Sequence, residues 1–275
     1  MIHNIRITTL VENTASRAGL LAEHGLSFWI EYCDKWILFD TGQSNILTKN
    51  AKVLGIDLAE TDAIVLSHGH YDHTGGLAAV LEIAEKAKIY LHPAAIEAKF
   101  SQKTSGAKSI GISDPTLKAI KNREVIWTET PTQIFPGVTV TGQVPRINDF
   151  EDVGGAFFLD ENYQKADELL DDQTLFIKTS KGLVIVFGCA HSGVVNTLDY
   201  ISKLTGKKNI YAAIGGMHLL NANPVRIANT IETFKKYRVQ NIIPLHCTGQ
   251  KAIEVMKKAF GNKCVSSGTG GQINL

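Results

Sequence analysis

The stretch Ser67-His68-Gly69-His70-Tyr71-Asp72-His73-Thr74-Gly75-Gly76 decides how this chain is read. Three of the nine histidines and one carboxylate fall within six consecutive positions. Just before it, Asp62-Ala63-Ile64-Val65-Leu66 is an apolar, β-branched run that predicts a buried strand. Just after it, Leu77 to Ala87 predicts a helix, with Leu77, Val80, Leu81 and Ala84 on one face. The cluster therefore belongs on a loop at a strand's C-terminal end, where α/β sheets place ligands. Neutral imidazole and carboxylate are good ligands for divalent zinc, iron or manganese. A loop can turn His68 and His70 to one ion and Asp72 and His73 to a second. Gly69 removes a side chain between the first pair, and Gly75-Gly76 permits a tight turn into the helix.

Composition sets the frame. The 275 residues suit one large domain or two small ones, and a 44% hydrophobic content supports a real core. With 28 basic against 27 acidic residues, no basic surface for duplex nucleic acid is indicated. Cys33, Cys189, Cys247 and Cys264 are widely spaced, with no CxxC pair and no disulfide framework. No signal-peptide pattern and no long apolar run is visible, so a cytoplasmic protein that does not enter the membrane is expected.

Outward from the cluster, residues 2 to 11 predict a first strand. Residues 26 to 32 and 36 to 39 predict a hairpin turning at Cys33-Asp34-Lys35. Between them, Glu12 to Gly25 is a polar loop able to carry substrate contacts through Asn13, Glu23 or His24. Ser44 to Leu54 predicts a helix capped by Gly55. Ala94 to Phe100 predicts a helix behind Pro93. Gln102 to Ile112 lacks periodicity and predicts a mobile excursion whose Lys103 and Lys108 can meet an anionic substrate. Asn148 to Asp172 is acidic and predicts an insertion. The expectation is a single domain over 1–275, with insertions or lids around 100–125 and 146–172.

The second half repeats one theme. Residues 174 to 179 and 183 to 187 predict a hairpin. The apolar runs at 183–187, 210–214 and 242–245 are followed by Gly188-Cys189-Ala190-His191, Gly215-Gly216-Met217-His218 and His246-Cys247-Thr248-Gly249. Helices are expected over 194–204, from Pro224 to Tyr237 and over 250–260, then a last short strand at Cys264-Val265. Together with the 68–73 cluster, four strands each end in a histidine-bearing turn. Were these strands side by side in one sheet, their ends would converge on one crevice.

HxHxDH behind a strand resembles the metallo-β-lactamase superfamily, and the resemblance runs along nearly the whole chain. It implies an α/β fold, the αββα sandwich of two mixed sheets flanked by helices. It also implies a cofactor of one or two divalent metal ions, zinc or else iron or manganese, held by His68, His70, Asp72 and His73. Superfamily members carry a similar Leu38-Phe39-Asp40-Thr41-Gly42, where Asp40 is either an acceptor orienting a ligand histidine or a turn cap. Two positions depart from the family pattern. Gln143 stands where a ligand histidine is usual, and His191 is expected to replace it. Cys189 stands where a metal-bridging aspartate is usual, and a thiolate is also a metal ligand. His246 matches the family's last metal histidine. His218 is expected to contact substrate or support a ligand, and Arg146 to bind phosphate or carboxylate through its planar fork.

The combination HGHYDHTGG, GCAHSG, GGMHL and HCTG is similar to one branch of that superfamily. That branch includes archaeal synthases of methanopterin biosynthesis, which join a dihydropterin-methyl diphosphate to a ribofuranosylaminobenzene phosphate. The resemblance implies a metal-dependent enzyme, hydrolase or dihydropterin-methyl transferase-like synthase, acting on a small phosphorylated or anionic substrate. Asp72, His218 and Arg146 are its expected catalytic residues. A non-catalytic sensor that uses the metal to hold an anionic small molecule is the other class compatible with these residues. Oligomeric state is not legible.

Overall fold

The computed structural model describes residues 5–275. In chain order the strands and helices are β1 (Ile5–Val11), β2 (Ser27–Tyr32), β3 (Lys35–Phe39), α1 (Ile46–Leu54), β4 (Ala63–Val65), α2 (Tyr71–Thr74), α3 (Leu77–Leu81) and β5 (Lys88–Leu91). Then come β6 (Phe100–Lys103), β7 (Gly106–Ser109), α4 (Asp114–Lys121), β8 (Val125–Trp127), β9 (Thr132–Phe135), β10 (Val138–Val140) and β11 (Phe157–Phe158). The last part holds β12 (Leu175–Lys178), β13 (Leu183–Phe187), α5 (Val194–Thr205), β14 (Ile210–Gly216), α6 (Pro224–Lys236), β15 (Asn241–Leu245), α7 (Gln250–Phe260) and β16 (Gln272–Asn274).

The chain divides into two compact units. The first takes the described residues up to Thr128 with Ala156–Asp167 and Gly268–Leu275; the second takes Glu129–Gly155 and Glu168–Ser267. In the first unit a seven-stranded sheet runs β16-β1-β2-β3-β4-β5-β8. Its β1-β2-β3 part is antiparallel, whereas β3, β4, β5 and β8 are parallel. Parallel strands need crossover helices. α1, α3 and α4 lie on this sheet, burying Leu47, Ala51, Leu77, Val80 and Ile120 against Leu38, Ile64, Ile89 and Leu91. α1 stops at Gly55, which takes a left-handed conformation, φ 71°.

The second unit carries a six-stranded sheet, β15-β14-β13-β12-β10-β9. β13, β14 and β15 are parallel neighbours, so their C-terminal turns lie side by side. Every residue of β13 is buried, as an unbroken Leu-Val-Ile-Val-Phe run requires. α5, α6 and α7 cover the sheet through Val194, Leu198, Ile201, Ile227, Ile231, Phe234, Ala252 and Met256. α6 begins as its sequence dictates: Asn223 Oδ1 accepts the Arg226 main-chain N–H at 2.9 Å, with Pro224 in the first turn.

Several expectations are corrected. The histidine-bearing strands do not share one sheet: β4 belongs to the seven-stranded sheet, and β13, β14 and β15 to the other. Gln102 to Ile112 is no irregular excursion, because β6 and β7 form an antiparallel hairpin and β11 adds a third strand to it. Ala94 to Phe100 gives one 3₁₀ turn, Pro93–Ile96, before the chain extends into β6. α3 ends at Leu81, well short of Ala87. Cys264 makes only an isolated bridge to Ile242; the last strand is β16, antiparallel to β1. Of the first predicted strand, residues 2–4 lie outside the described residues.

Candidate metal centre

The 67–76 segment is held from behind by Asp40. Asp40 Oδ1 accepts the Ser67 main-chain N–H at 2.7 Å, and Oδ2 accepts the Ser67 hydroxyl at 2.7 Å. Oδ2 also faces His73 Nδ1 at 2.7 Å. Of the two alternatives for Asp40, the geometry is that of the histidine-orienting acceptor. With its Nδ1–H directed to Asp40, His73 turns Nε2 toward the Asp72 carboxyl, 3.8 Å away. Ser67 Oγ is in turn 2.9 Å from His68 Nδ1. Buried partners of this kind fix the tautomer and the ring plane of metal-ligating histidines.

The three imidazoles gather tightly. The His68 ring centroid lies 4.6 Å from that of His70 and 4.3 Å from that of His73. All three are buried, and Asp72 with them. Gly69 is obligatory here, because a Cβ would stand 2.1 Å from the Ala95 carbonyl oxygen. Three imidazoles and a carboxylate form a donor set that fits zinc, iron or manganese.

The surroundings of this cluster divide into supports and exposed groups. Glu23 accepts from the Gln43 and Ser44 main-chain N–H groups at 2.9 and 3.0 Å, and Asn13 accepts from Gly25 at 3.3 Å. Both hold the loop. His24 instead places Nε2 3.1 Å from Asp72 Oδ2 while staying half exposed. Phe157 lies against His70, centroids 5.1 Å apart. Lys108 sits over the Tyr71 ring at 4.8 Å. Phe157 carried no signal in the sequence, since nothing in a Phe-Phe pair inside an acidic stretch marks a partner for a loop some 85 positions earlier.

In the second unit, Cys189, His191, His218, His246 and Cys247 stand in the three neighbouring turns after β13, β14 and β15. Ala190, His218 and His246 take left-handed φ values of 55°, 45° and 50°. Such strain at non-glycine residues clusters at functional sites. His191 Nδ1 donates to the Val153 carbonyl at 2.7 Å, and its ring lies 4.2 Å from that of His218. Cys189, His218 and Cys247 each bring one donor atom within 4.8 Å of the other two. The Cys247 thiol is held well below its usual range: burial opposes this, but the neighbouring Cys189 and His218 and the charge of His246 outweigh it. His218 is correspondingly raised: burial works against the charged ring, and Cys247 with the Gly154 carbonyl prevails.

Arg146 is tethered within its own chain. Its guanidinium donates to the main-chain carbonyls of His191 at 2.7 Å and Glu168 at 2.8 Å. Those bonds tie the guanidinium to the His191 turn. The N-terminus of α5 is likewise filled from within, since Glu151 accepts from the Val195 and Asn196 main-chain N–H groups at 2.9 Å.

Asp172, unmarked in the sequence beyond its acidic neighbourhood, supports the same turn by accepting from Ser192 N–H at 2.8 Å. Burial pushes its carboxyl up to about 6, against the pull of Ser192 and Arg146. A folded-state value above the unfolded one of about 3.9 means that protonation favours the native chain. Its stabilising contribution is complete below about pH 4 and is lost as pH rises through about 6. Asp172→Asn is expected to flatten that window. Urea unfolding at pH 4.5 and 8 should show the wild type losing about 2 kcal/mol more than the variant.

Comparison with known proteins agrees with this geometry. The family model of the metallo-β-lactamase superfamily matches residues 21–161, which contain the whole 67–76 segment and Asp40. The chain is 35% identical over 273 residues to the 7,8-dihydropterin-6-methyl-4-(β-D-ribofuranosyl)-aminobenzene-5'-phosphate synthase of Methanocaldococcus jannaschii, covering 94% of this chain and 92% of the relative. An uncharacterized protein of the same organism is 36% identical over 249 residues, covering 90% and 92%. A crystal structure described as a metal-dependent hydrolase of the β-lactamase superfamily superposes with a TM-score of 0.85 at 30% identity, covering 98% of this chain and 99% of that one. The histidine cluster backed by Asp40, the mixed sheets that carry it and these end-to-end relatives have one common explanation: the chain belongs to the metallo-β-lactamase superfamily.

Proposed function

We propose that this protein is a metal-dependent enzyme that condenses a small diphosphate-bearing substrate with a phosphorylated arylamine, releasing diphosphate. The observation that carries the metal dependence is the buried His68, His70, His73 and Asp72 group with Asp40 behind it. The choice of reaction is supported by 35% identity along 94% of the chain to a protein named as a dihydropterin-methyl aminobenzene-phosphate synthase. His68, His70, Asp72 and His73 would hold one or two divalent ions, zinc, iron or manganese. We also assign His191 and His246 as donors, by their match to the superfamily's ligand-bearing strand ends; Cys189 is a donor as well, but to a cation held within the second unit. When bound, the cation supplies positive charge against which an anionic leaving group departs.

The chain's own residues do the rest. In the condensation the methylene–oxygen bond to diphosphate breaks and diphosphate keeps the electron pair. A carbon or nitrogen of the arylamine bonds to the methylene and gives up a proton. The half-exposed His24, paired with Asp72 at 3.1 Å, is placed to take that proton. Phe157 offers an apolar wall beside His70 for a flat ring, and Lys108, exposed over Tyr71, meets substrate phosphate.

Hydrolysis is the second reading, favoured by the 30% identical, metal-dependent hydrolase structure. One experiment separates the two. Protein purified without chelator is analysed for metal, then incubated with dihydropterin-methyl diphosphate, with and without the ribofuranosylaminobenzene phosphate. Condensation predicts diphosphate release that requires both substrates. Release from the pterin diphosphate alone establishes the hydrolase. Metal-loaded protein that turns over neither substrate nor phosphoester and lactone probes would sink both.

A further inference from the structure

We propose that Cys189, Cys247 and His218 form a thiolate-rich cation site within the second unit, suited to zinc or another thiophilic divalent ion. It differs from the superfamily's ligand pattern in Cys247 and His218, to which that pattern gives no role. The three donor atoms lie within 4.8 Å of one another. A tetrahedral zinc ion, with bonds of about 2.3 Å to sulfur and 2.0 Å to nitrogen, holds its ligands roughly 3.5–3.8 Å apart. The trio is therefore within about 1 Å of coordinating geometry.

The supports around it are those of a ligand set. The Nε2–H of His218 donates to the Gly154 carbonyl at 3.2 Å, which leaves the lone pair on Nδ1. Nδ1 is buried and makes no hydrogen bond. A buried acceptor in that condition is costly unless an ion or proton completes it. The His218 main-chain N–H lies 3.4 Å from Cys247 Sγ, and that sulfur is 3.6 Å from the Cys189 carbonyl oxygen. Gly216 makes room for the sulfur, since a Cβ there would stand 2.7 Å from it. Two sulfurs and an imidazole are a soft donor set that discriminates against magnesium and calcium.

Cobalt(II) is the probe, because thiolate ligation gives it a charge-transfer absorption in the near ultraviolet. The full chain, stripped of metal and kept reduced, is titrated with cobalt chloride. The wild type is expected to show that band, and Cys247→Ser to lower its saturating intensity by about half. His218→Ala should keep the band while raising the cobalt needed for half-saturation at least tenfold, since loss of a direct ligand costs no less than loss of an orienting partner. His68→Ala should leave the band intact, so failure of the first unit's centre is distinguishable from failure of this one. A second measurement needs no variant: bound cobalt should protect Cys189 and Cys247 from alkylation, mapped by mass spectrometry, while exposed Cys33 reacts throughout. An undiminished band in Cys247→Ser, loss of the band in His68→Ala, or equal alkylation of Cys247 with and without cobalt overturns the proposal. So does a Cys189–Cys247 disulfide with no cobalt uptake by the reduced protein.

Discussion

His68→Ala is expected to abolish metal-dependent turnover while leaving the chain folded. The side chain is fully buried, with its ring against those of His70 and His73. Its removal leaves a ring-sized hole in a loop, not in a helix or strand interior, and the Ser67 hydroxyl keeps its bond to Asp40. A destabilisation of about 1–3 kcal/mol follows. The functional loss is far larger. A bound cation supplies several kcal/mol of charge stabilisation, and at about 1.4 kcal/mol per tenfold a thousandfold or greater fall in kcat results. Metal content, kcat and the urea midpoint should be measured on one preparation: the first two collapse and the third moves little. Full activity in the variant would remove His68 from the site.

Much of this was legible because the residues concerned are rare types at fixed spacing. HxHxDH behind a β-branched run named its own loop. Asp40 was visible as a carboxyl at a strand end, and its role became clear only when β3 and β4 paired and set it beside Ser67 and His73. The small sheet of β11, β6 and β7 was not readable. β7 is Gly-Ala-Lys-Ser and exposed throughout, so it has no apolar alternation to announce a strand. β16 pairs Gln272 with Thr8, a contact no local pattern encodes. Arg146 was half legible for a related reason: a fork suited to phosphate is equally suited to carbonyl oxygens, and only the folded chain shows it bonded to two of them. Cys247 drew no attention beside His246, because a lone cysteine after a strand most often packs; its meaning depends on Cys189 and His218 in the adjoining turns.

Asp40 provides the sharpest separation of structure from chemistry, through two substitutions. It is fully buried, takes φ 58° and serves three donors: the Ser67 N–H, the Ser67 hydroxyl and His73 Nδ1. Asp40→Ala leaves those buried donors without their acceptor, each loss being worth about 1–3 kcal/mol, and puts alanine in a left-handed conformation it disfavours by about 1 kcal/mol. A total loss of about 4 kcal/mol or more is expected, enough to threaten folding near physiological temperature. Asp40→Asn is different. Asparagine tolerates the left-handed backbone, and its carbonyl oxygen can still accept the Ser67 N–H. Its NH₂ group then faces His73 Nδ1, where a donor meets a donor. The imidazole relieves the conflict by moving its proton to Nε2, the nitrogen an ion needs. Asp40→Asn should therefore lose only about 1–2 kcal/mol of stability while metal affinity falls by about 10–100-fold. Competition with a chelator of known affinity and urea unfolding check both quantities. Wild-type affinity in a well-folded Asp40→Asn chain would mean that His73 does not depend on Asp40 for its tautomer, and that the ion is held by other hands.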